Sequence, residues 1–256
     1  MFKKLSTINF HLTDICNYKC KFCFINKENK ELDFDNAIII IDKIKKYFDH
    51  FNLKGRINLV GGEPLCYKRI QDIIDYIKYL NIDVSIVTNG YLLIDEFIIN
   101  NKDKLSMIGI SVDSVDNNTN KLIGRCCGTK TIDRDHLLHV CNTIKKCNIN
   151  LKINTCVMKT NLNEDLSSLI KEIKPDRYKI FQVVLDTEFA KENAISNDEF
   201  NKYLSKYDGI DYFSETNDYM LQNYLIVDSR GFLCNNNRHQ DGINLLENNN
   251  IYDYVK

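Results

Sequence analysis

Short runs of alternating or continuous apolar residues recur along this chain, separated by longer stretches whose apolar positions fall three and four apart. The short runs predict strands at 7–12, 56–60, 83–87, 107–112, 150–157 and 177–184. The longer stretches predict helices at 33–48, 69–79, 133–146 and 164–173. Strand followed by amphipathic helix, repeated, is the pattern of βα units around a parallel sheet. Such units build either part of a TIM-like barrel or an open doubly wound sheet, and periodicity does not choose between them. Beyond residue 186 the pattern turns irregular. A helix is expected near 197–206 and a β-rich stretch at 224–233, followed by an Asn-rich polar tail from Asn235. The only prolines are Pro64 and Pro175, and no Gly/Ser-rich linker interrupts the chain. The expectation is one structural domain, with a core over 1–184 and an extension over 185–256 that packs on it and partly covers it.

Composition narrows the function classes. A chain of 256 residues can bury roughly 70–75% of its unfolded surface. Its 34 Lys and Arg nearly cancel its 35 Asp and Glu, which removes the broad basic field that grips nucleic acid but leaves room for a local basic pocket. The longest apolar run, 37–41, is far short of the ~20 residues of a membrane span. Ser6, Thr7, Asn9 and His11 break up any signal-peptide core after Lys3 and Lys4. A soluble cytoplasmic protein is expected, with neither nucleic acid nor membrane as partner.

Thiols in that compartment stay reduced, so clustered cysteines there signal metal or catalysis. Cys16, Cys20 and Cys23 form C-x3-C-x2-C directly after the first strand. Cys66, Cys126, Cys127, Cys141, Cys147, Cys156 and Cys234 show no comparable spacing and are expected to be small buried side chains. Three thiolates on one loop can hold three irons of a [4Fe–4S] cluster and leave the fourth open. The competitor is zinc with His11 or a distant thiol as fourth ligand. It is disfavoured because zinc ribbons usually pair two C-x2-C knuckles, and the chain has no second pair.

Two further features carry chemistry. In GGEP (61–64), Gly61 and Gly62 let the backbone approach a ligand without a Cβ in the way, and Pro64 holds Glu63 extended. Charges also appear on two strands that should be apolar. Lys152 and Asn154 in LKINTCV share one face, as do Arg177 and Lys179 in RYKIFQVV. Either these residues sit on a solvated rim, or they converge in a barrel mouth. Buried there, they would need an anionic ligand, and an Arg fork beside Lys point charges suits phosphate. GRCCGTK (124–130) lacks Walker A spacing, so a triphosphate would be held by side chains.

The cysteine loop and GGEP together resemble the radical S-adenosylmethionine (SAM) superfamily. TNG (88–90) ends the third strand and SVDS (111–114) the fourth, where parallel barrels gather their active groups. The resemblance implies an α/β fold, a partial (β/α)6 TIM-like barrel with a C-terminal β-containing extension. It also implies a [4Fe–4S] cluster on Cys16, Cys20 and Cys23, with SAM on its open iron. Gly61, Gly62 and Glu63 would contact SAM, Asn89 its ribose, Ser111 its carboxylate and Phe22, through its backbone, the adenine. Arg125 would lie near the SAM carboxylate and the substrate.

The segments SVDSVDNNTNKLIGR, LKINTCV, PDRYKIFQVV and ETNDYMLQNYLIVDS, in that order, look like the viperin family, and the likeness runs over 7–233. Viperins are radical SAM enzymes that convert a ribonucleoside triphosphate into its 3′-deoxy-3′,4′-didehydro analogue, which terminates viral RNA synthesis. A 5′-deoxyadenosyl radical takes the C4′ hydrogen, and the 3′-hydroxyl leaves as water. By this resemblance Lys152, Asn154, Arg177 and Lys179 match triphosphate-binding positions, and Arg56 stands where viperins commonly have Lys. Tyr224 matches a tyrosine that relays a hydrogen atom late in the reaction. A one-electron donor such as flavodoxin or ferredoxin is implied. Neither the membrane helix nor the aromatic-ended tail of animal viperins is expected here, which points to a prokaryotic viperin-like enzyme with CTP or UTP as substrate. The alternatives are a radical SAM enzyme acting on a peptide or RNA and, from another class, a non-catalytic zinc or iron–sulfur module.

Overall fold

A computed structural model describes residues 2–25, 27–220, 223–234, 242–247 and 249–255. Its leading strands are β1 (Thr7–His11), β2 (Arg56–Val60), β3 (Asp83–Thr88), β4 (Leu105–Ser111), β5 (Asn150–Val157) and β6 (Arg177–Gln182). They lie side by side in chain order and all parallel. The crossovers carry α1 (Phe34–His50), α2 (Ile70–Tyr79), α3 (Asp95–Asn100), α4 (Asn117–Leu122), α5 (Arg134–Lys146) and α6 (Ser167–Ile173). A doubly wound sheet would reverse its strand order about a switch point. This one does not, and it is the partial (β/α)6 barrel.

Local chemistry explains where elements begin. The Asp33 carboxylate caps α1 by accepting from Asn36 N at 2.9 Å, and the helix buries Ala37, Ile40, Ile41 and Ile44 as one stripe. The α6 helix starts at Ser167 rather than at 164 because the Asp165 side chain turns back to accept from Ser167 N at 2.8 Å.

After β6 come α7 (Glu188–Glu192), α8 (Asn197–Leu204), β7 (Phe213–Glu215), α9 (Asn217–Met220), β8 (Leu225–Val227), β9 (Phe232–Cys234) and β10 (Ile243–Asn244). β7 adds in parallel beside β6, whereas β8 adds in parallel beside β1 at the opposite side, followed by antiparallel β9 and β10. The later segment therefore lengthens the same sheet in both directions. The β-rich stretch expected at 224–233 is a hairpin turning on Asp228, whose carboxylate accepts from Arg230 N and Phe232 N at 2.9 and 3.0 Å. β7 has no predicted counterpart, because FSE shows no apolar alternation.

Alternation along the strands decides where the site sits. One face carries Ile8, Phe10, Ile57, Leu59, Ile153 and Ile180, all buried in the main hydrophobic core. The other carries Asn9, Asn58, Ser85, Lys152, Asn154 and Lys179. A TIM barrel normally fills its interior with branched apolar side chains. Here polar groups replace them, and the barrel encloses a cavity of about 280 Å³. Asn58 Nδ2 donates to Asn9 Oδ1 at 2.7 Å, and Ser85 Oγ donates to Asn58 Oδ1 at 2.8 Å. Among the described residues, no helix is long and apolar enough to cross a membrane.

Candidate active site

The cysteine loop leaves β1 and is held as a shelf by its own backbone neighbours. Asp14, buried, accepts from Glu28 N at 3.1 Å and Lys30 N at 2.7 Å, and Lys27 Nζ donates to Tyr18 O at 2.9 Å. From the other side, Gly62 N donates to Thr13 O and Glu63 N to Ile15 O, both at 2.8 Å. A Cβ on Gly62 would come within 2.2 Å of Ile15 O, and one on Gly124 within 2.2 Å of Lys19 O. The glycine of GGEP is thus required by the approach of the cysteine loop itself, where the sequence suggested approach of a ligand. Both Gly61 and Gly62 still face the cavity.

Cys16, Cys20 and Cys23 all line that cavity, as do His11 and Phe22. Burial pushes the Cys20 thiol up to about 11, with Arg125 pulling against it, and burial likewise raises Cys16. Of the other cysteines only Cys141 and Cys156 are buried. Cys66, Cys126, Cys127, Cys147 and Cys234 are partly exposed, contrary to the expectation of small core side chains.

Glu63 is fully enclosed and does not face the cavity. Its carboxylate accepts from Thr88 Oγ1 at 2.6 Å, Asn89 N at 2.8 Å and Leu65 N at 3.1 Å, so it ties the GGEP turn to TNG. Asn89 lies on the cavity wall, with its Nδ2 donating to Asn17 Oδ1 at 2.7 Å. Ser111 and Arg125 share that wall. Arg125 pairs with Asp113, which also accepts from Cys156 N at 2.8 Å, and its guanidinium lies 5.7 Å from the Phe22 ring centroid. Asp113 was not singled out from the sequence, although it stands inside SVDS. Removing one partner of a buried pair strands the other charge. We expect Asp113→Ala to cost about 3–5 kcal/mol in chemical denaturation. A loss below about 1 kcal/mol would place the guanidinium in solvent instead.

Two of the three strand charges, Lys152 and Lys179, lie in the barrel interior. β5 and β6 pair Lys152 with Arg177 and Asn154 with Lys179. Lys152, Asn154 and Lys179 line the cavity together with Tyr224, which directly precedes β8. Arg177 is exposed at the start of β6, and Arg56 opens β2; neither lines the cavity. Both act on it through charge. Burial, then Lys179 and Arg177, and more weakly Arg56, push the Lys152 ammonium down to about 7. Arg56 Nε and Asn154 Oδ1 are buried without a hydrogen-bond partner. Among these cations stands one carboxylate that sequence reading missed, Glu215 on β7, at 2.6 Å from Lys179 Nζ. Asn9 and Asn58 were also missed. Their alternation in TINFH and RINLV was the available signal, since Asn58 shares its strand face with Arg56.

The comparisons with known proteins agree with this geometry. Residues 10–173 match the Radical SAM superfamily. An S-adenosylmethionine-dependent nucleotide dehydratase from Flammeovirga pacifica is 34% identical over 91% of this chain and 83% of its own length. A protein of that name from Oncorhynchus mykiss is 31% identical over 94% of this chain and 73% of its own length. Among solved structures, Streptococcus suis SuiB bound to precursor peptide SuiA superimposes with a TM-score of 0.74 at 17% identity over 98% of this chain, which spans 64% of that structure's length. Native anSMEcpe with bound AdoMet gives 0.68 at 14% identity, covering 97% of this chain and 82% of that one. At those identities the structures speak for the fold alone. The sequence match, together with the thiol loop, GGEP and the partial barrel, shows that the chain belongs to the radical SAM superfamily and, within it, to the S-adenosylmethionine-dependent nucleotide dehydratases, the viperin family.

Proposed function

We propose that this chain dehydrates a ribonucleoside triphosphate to its 3′-deoxy-3′,4′-didehydro analogue, with loss of the C4′ hydrogen and of the 3′-hydroxyl as water. The observation that carries this reading is a cationic cluster, Lys152 and Lys179 on the cavity wall with Arg56 and Arg177 flanking it from outside, in a cavity that three thiols also line. Glu215 balances one of these charges, and the excess of cations over that carboxylate favours an anionic occupant.

The donor set fits the superfamily's cofactors. A [4Fe–4S] cluster gives each thiolate its own iron, which suits Cys16, Cys20 and Cys23 along one cavity wall. Bound there, cluster and SAM together supply a 5′-deoxyadenosyl radical able to take hydrogen from carbon.

This chain's own residues do the rest. Gly61, Gly62, Phe22, Asn89, Ser111 and Arg125 border the thiols and would hold SAM, Arg125 offering a cation to its carboxylate. Glu63 would act by fixing the turn. Lys152, Asn154 and Lys179, with Arg56 and Arg177 behind them, would bind the triphosphate and so present C4′ to the radical. Apolar wall residues such as Phe181 and Ile226 exclude water from it. Tyr224 holds a hydrogen on its phenol oxygen at the cavity wall, the position from which a hydrogen atom could be returned. CTP or UTP is the proposed substrate and a flavodoxin- or ferredoxin-type carrier the electron source, both resting on the resemblance, with the reaction placed in the cytoplasm.

The test incubates reduced, cluster-reconstituted protein with SAM and each ribonucleoside triphosphate in turn and weighs the nucleotide products. We expect a product lighter by one water from CTP or UTP. The same product from GTP or ATP alone would overturn the base assignment, and its absence from all four would overturn the function.

A further inference from the structure

Glu215 is an acid that acts on Lys152 against the surrounding cations, and the proposed reaction gives it no task. It sits at the end of β7, in register with Phe181 of β6. Its carboxylate meets Lys179 Nζ at 2.6 Å and accepts from the Tyr224 hydroxyl at 2.7 and 2.9 Å. Lys179 donates in turn to the Tyr224 oxygen and lies 5.0 Å from that ring's centroid. The Lys179 and Glu215 side chains are only 11% and 14% exposed. β7 and β8 do not pair with each other in the sheet. The link from Glu215 to Tyr224 therefore joins opposite sides of the sheet that no direct strand pairing connects.

We propose that Glu215 is a positioning residue that stands in for a phosphate, holding Lys179 and Tyr224 as one preformed unit facing the nucleotide site. This rests on the triphosphate reading above. A carboxylate in an anion site has two opposed effects. It repels an arriving phosphate, which weakens binding at every pH. It also keeps neighbouring ammonium groups charged: it raises Lys179 and Lys152 against burial and against the like charges of Arg177 and Arg56. Tyr224 also meets the carboxylate, with Tyr219 near Tyr224. Burial and Glu215 hold the Tyr224 phenol well above its ordinary range, so it stays protonated throughout.

The two effects have different pH signatures. At the acid end of the range, well below the wild-type value of about 7, the charge on Lys152 depends least on the carboxylate, and the lost repulsion dominates. Above it, removal lets the lysines lose their protons earlier, and binding weakens. The experiment measures Kd of CTP and UTP by equilibrium dialysis from pH 6 to 9, for the wild type and for Glu215→Gln, which keeps size and polarity. The variant is expected to bind more tightly at pH 6 and more weakly at pH 8.5, by roughly tenfold in each direction, so the two curves cross. Parallel curves, or coincident ones, would overturn the proposal. Glu215→Asp, which keeps the charge, should return the wild-type slope; failure to do so would also count against it. If the wild type itself binds neither triphosphate, the triphosphate reading falls first. A thermal melt of each variant separates these outcomes from simple loss of folding.

Discussion

Cys20→Ala is expected to abolish both iron incorporation and 5′-deoxyadenosine formation, and Cys16→Ala and Cys23→Ala should do the same. The three thiols share one cavity wall, on a loop pinned between the Asp14 contacts and the Gly62 and Glu63 amides. A tightly packed loop cannot move another donor into a vacated place. Cys20 stands to show the effect most fully. Burial raises its thiol to about 11, so it sheds its proton near neutrality only when a metal replaces it. Arg125, beside it, is the charge that favours the thiolate. Cys126→Ala and Cys234→Ala serve as controls, since neither residue lines the cavity. Iron and sulfide analysis after anaerobic reconstitution, followed by chromatography for 5′-deoxyadenosine, reads both effects. A Cys20→Ala protein that cleaves SAM at the normal rate would refute the assignment, and zinc without iron in the wild type would favour a binding module.

The second large effect belongs to the cationic cluster. Removing one charge-assisted contact at Lys152 should weaken triphosphate binding by about 1.5–3 kcal/mol, or roughly ten- to hundredfold in Kd, with iron content unchanged. Arg177→Ala acts from outside the cavity wall and should weaken binding less. The pH dependence has a definite sign. Burial and then the neighbouring cations bring free Lys152 to about 7, and a bound anion favours its charged form. Affinity should therefore be greatest below about pH 7 and fall as pH rises toward the higher pKa of the complex. Lys152→Arg, charged at all these pH values, should flatten that fall. The same shift acts on folding. The unfolded ammonium titrates near 10.5, so between about 7 and 10.5 the unfolded chain binds more protons. Stability of the nucleotide-free protein then rises with pH across that window. Lys152→Met should accordingly stabilise the free protein at pH 7, by about 1–4 kcal/mol, while losing the stabilisation that added triphosphate confers. Unchanged Kd and unchanged stability would return Lys152 to a solvated rim.

Local order along the chain determined a good deal. C-x3-C-x2-C marked the thiol loop because ligands on one loop are set by spacing alone, and the apolar periods marked the six βα units. The i, i+2 rule put Lys152 with Asn154, and Arg177 with Lys179, on common strand faces. Which face that was, barrel interior or rim, only the tertiary structure decided. Parallel pairing in chain order curls the sheet so that alternate residues point inward, and the answer differs within one pair: Lys179 lines the cavity, whereas Arg177 is exposed. Contacts between distant segments were equally invisible. The Glu63 carboxylate is taken up by Thr88 and Asn89, Gly62 is required by Ile15, and Asp113 holds Arg125. Glu215 was hidden most completely, because FSE has no strand signature of its own and becomes a strand only by pairing with β6. Spacing and periodicity belong to neighbouring residues, whereas the electrostatics of this cavity belong to strands brought together from the whole chain.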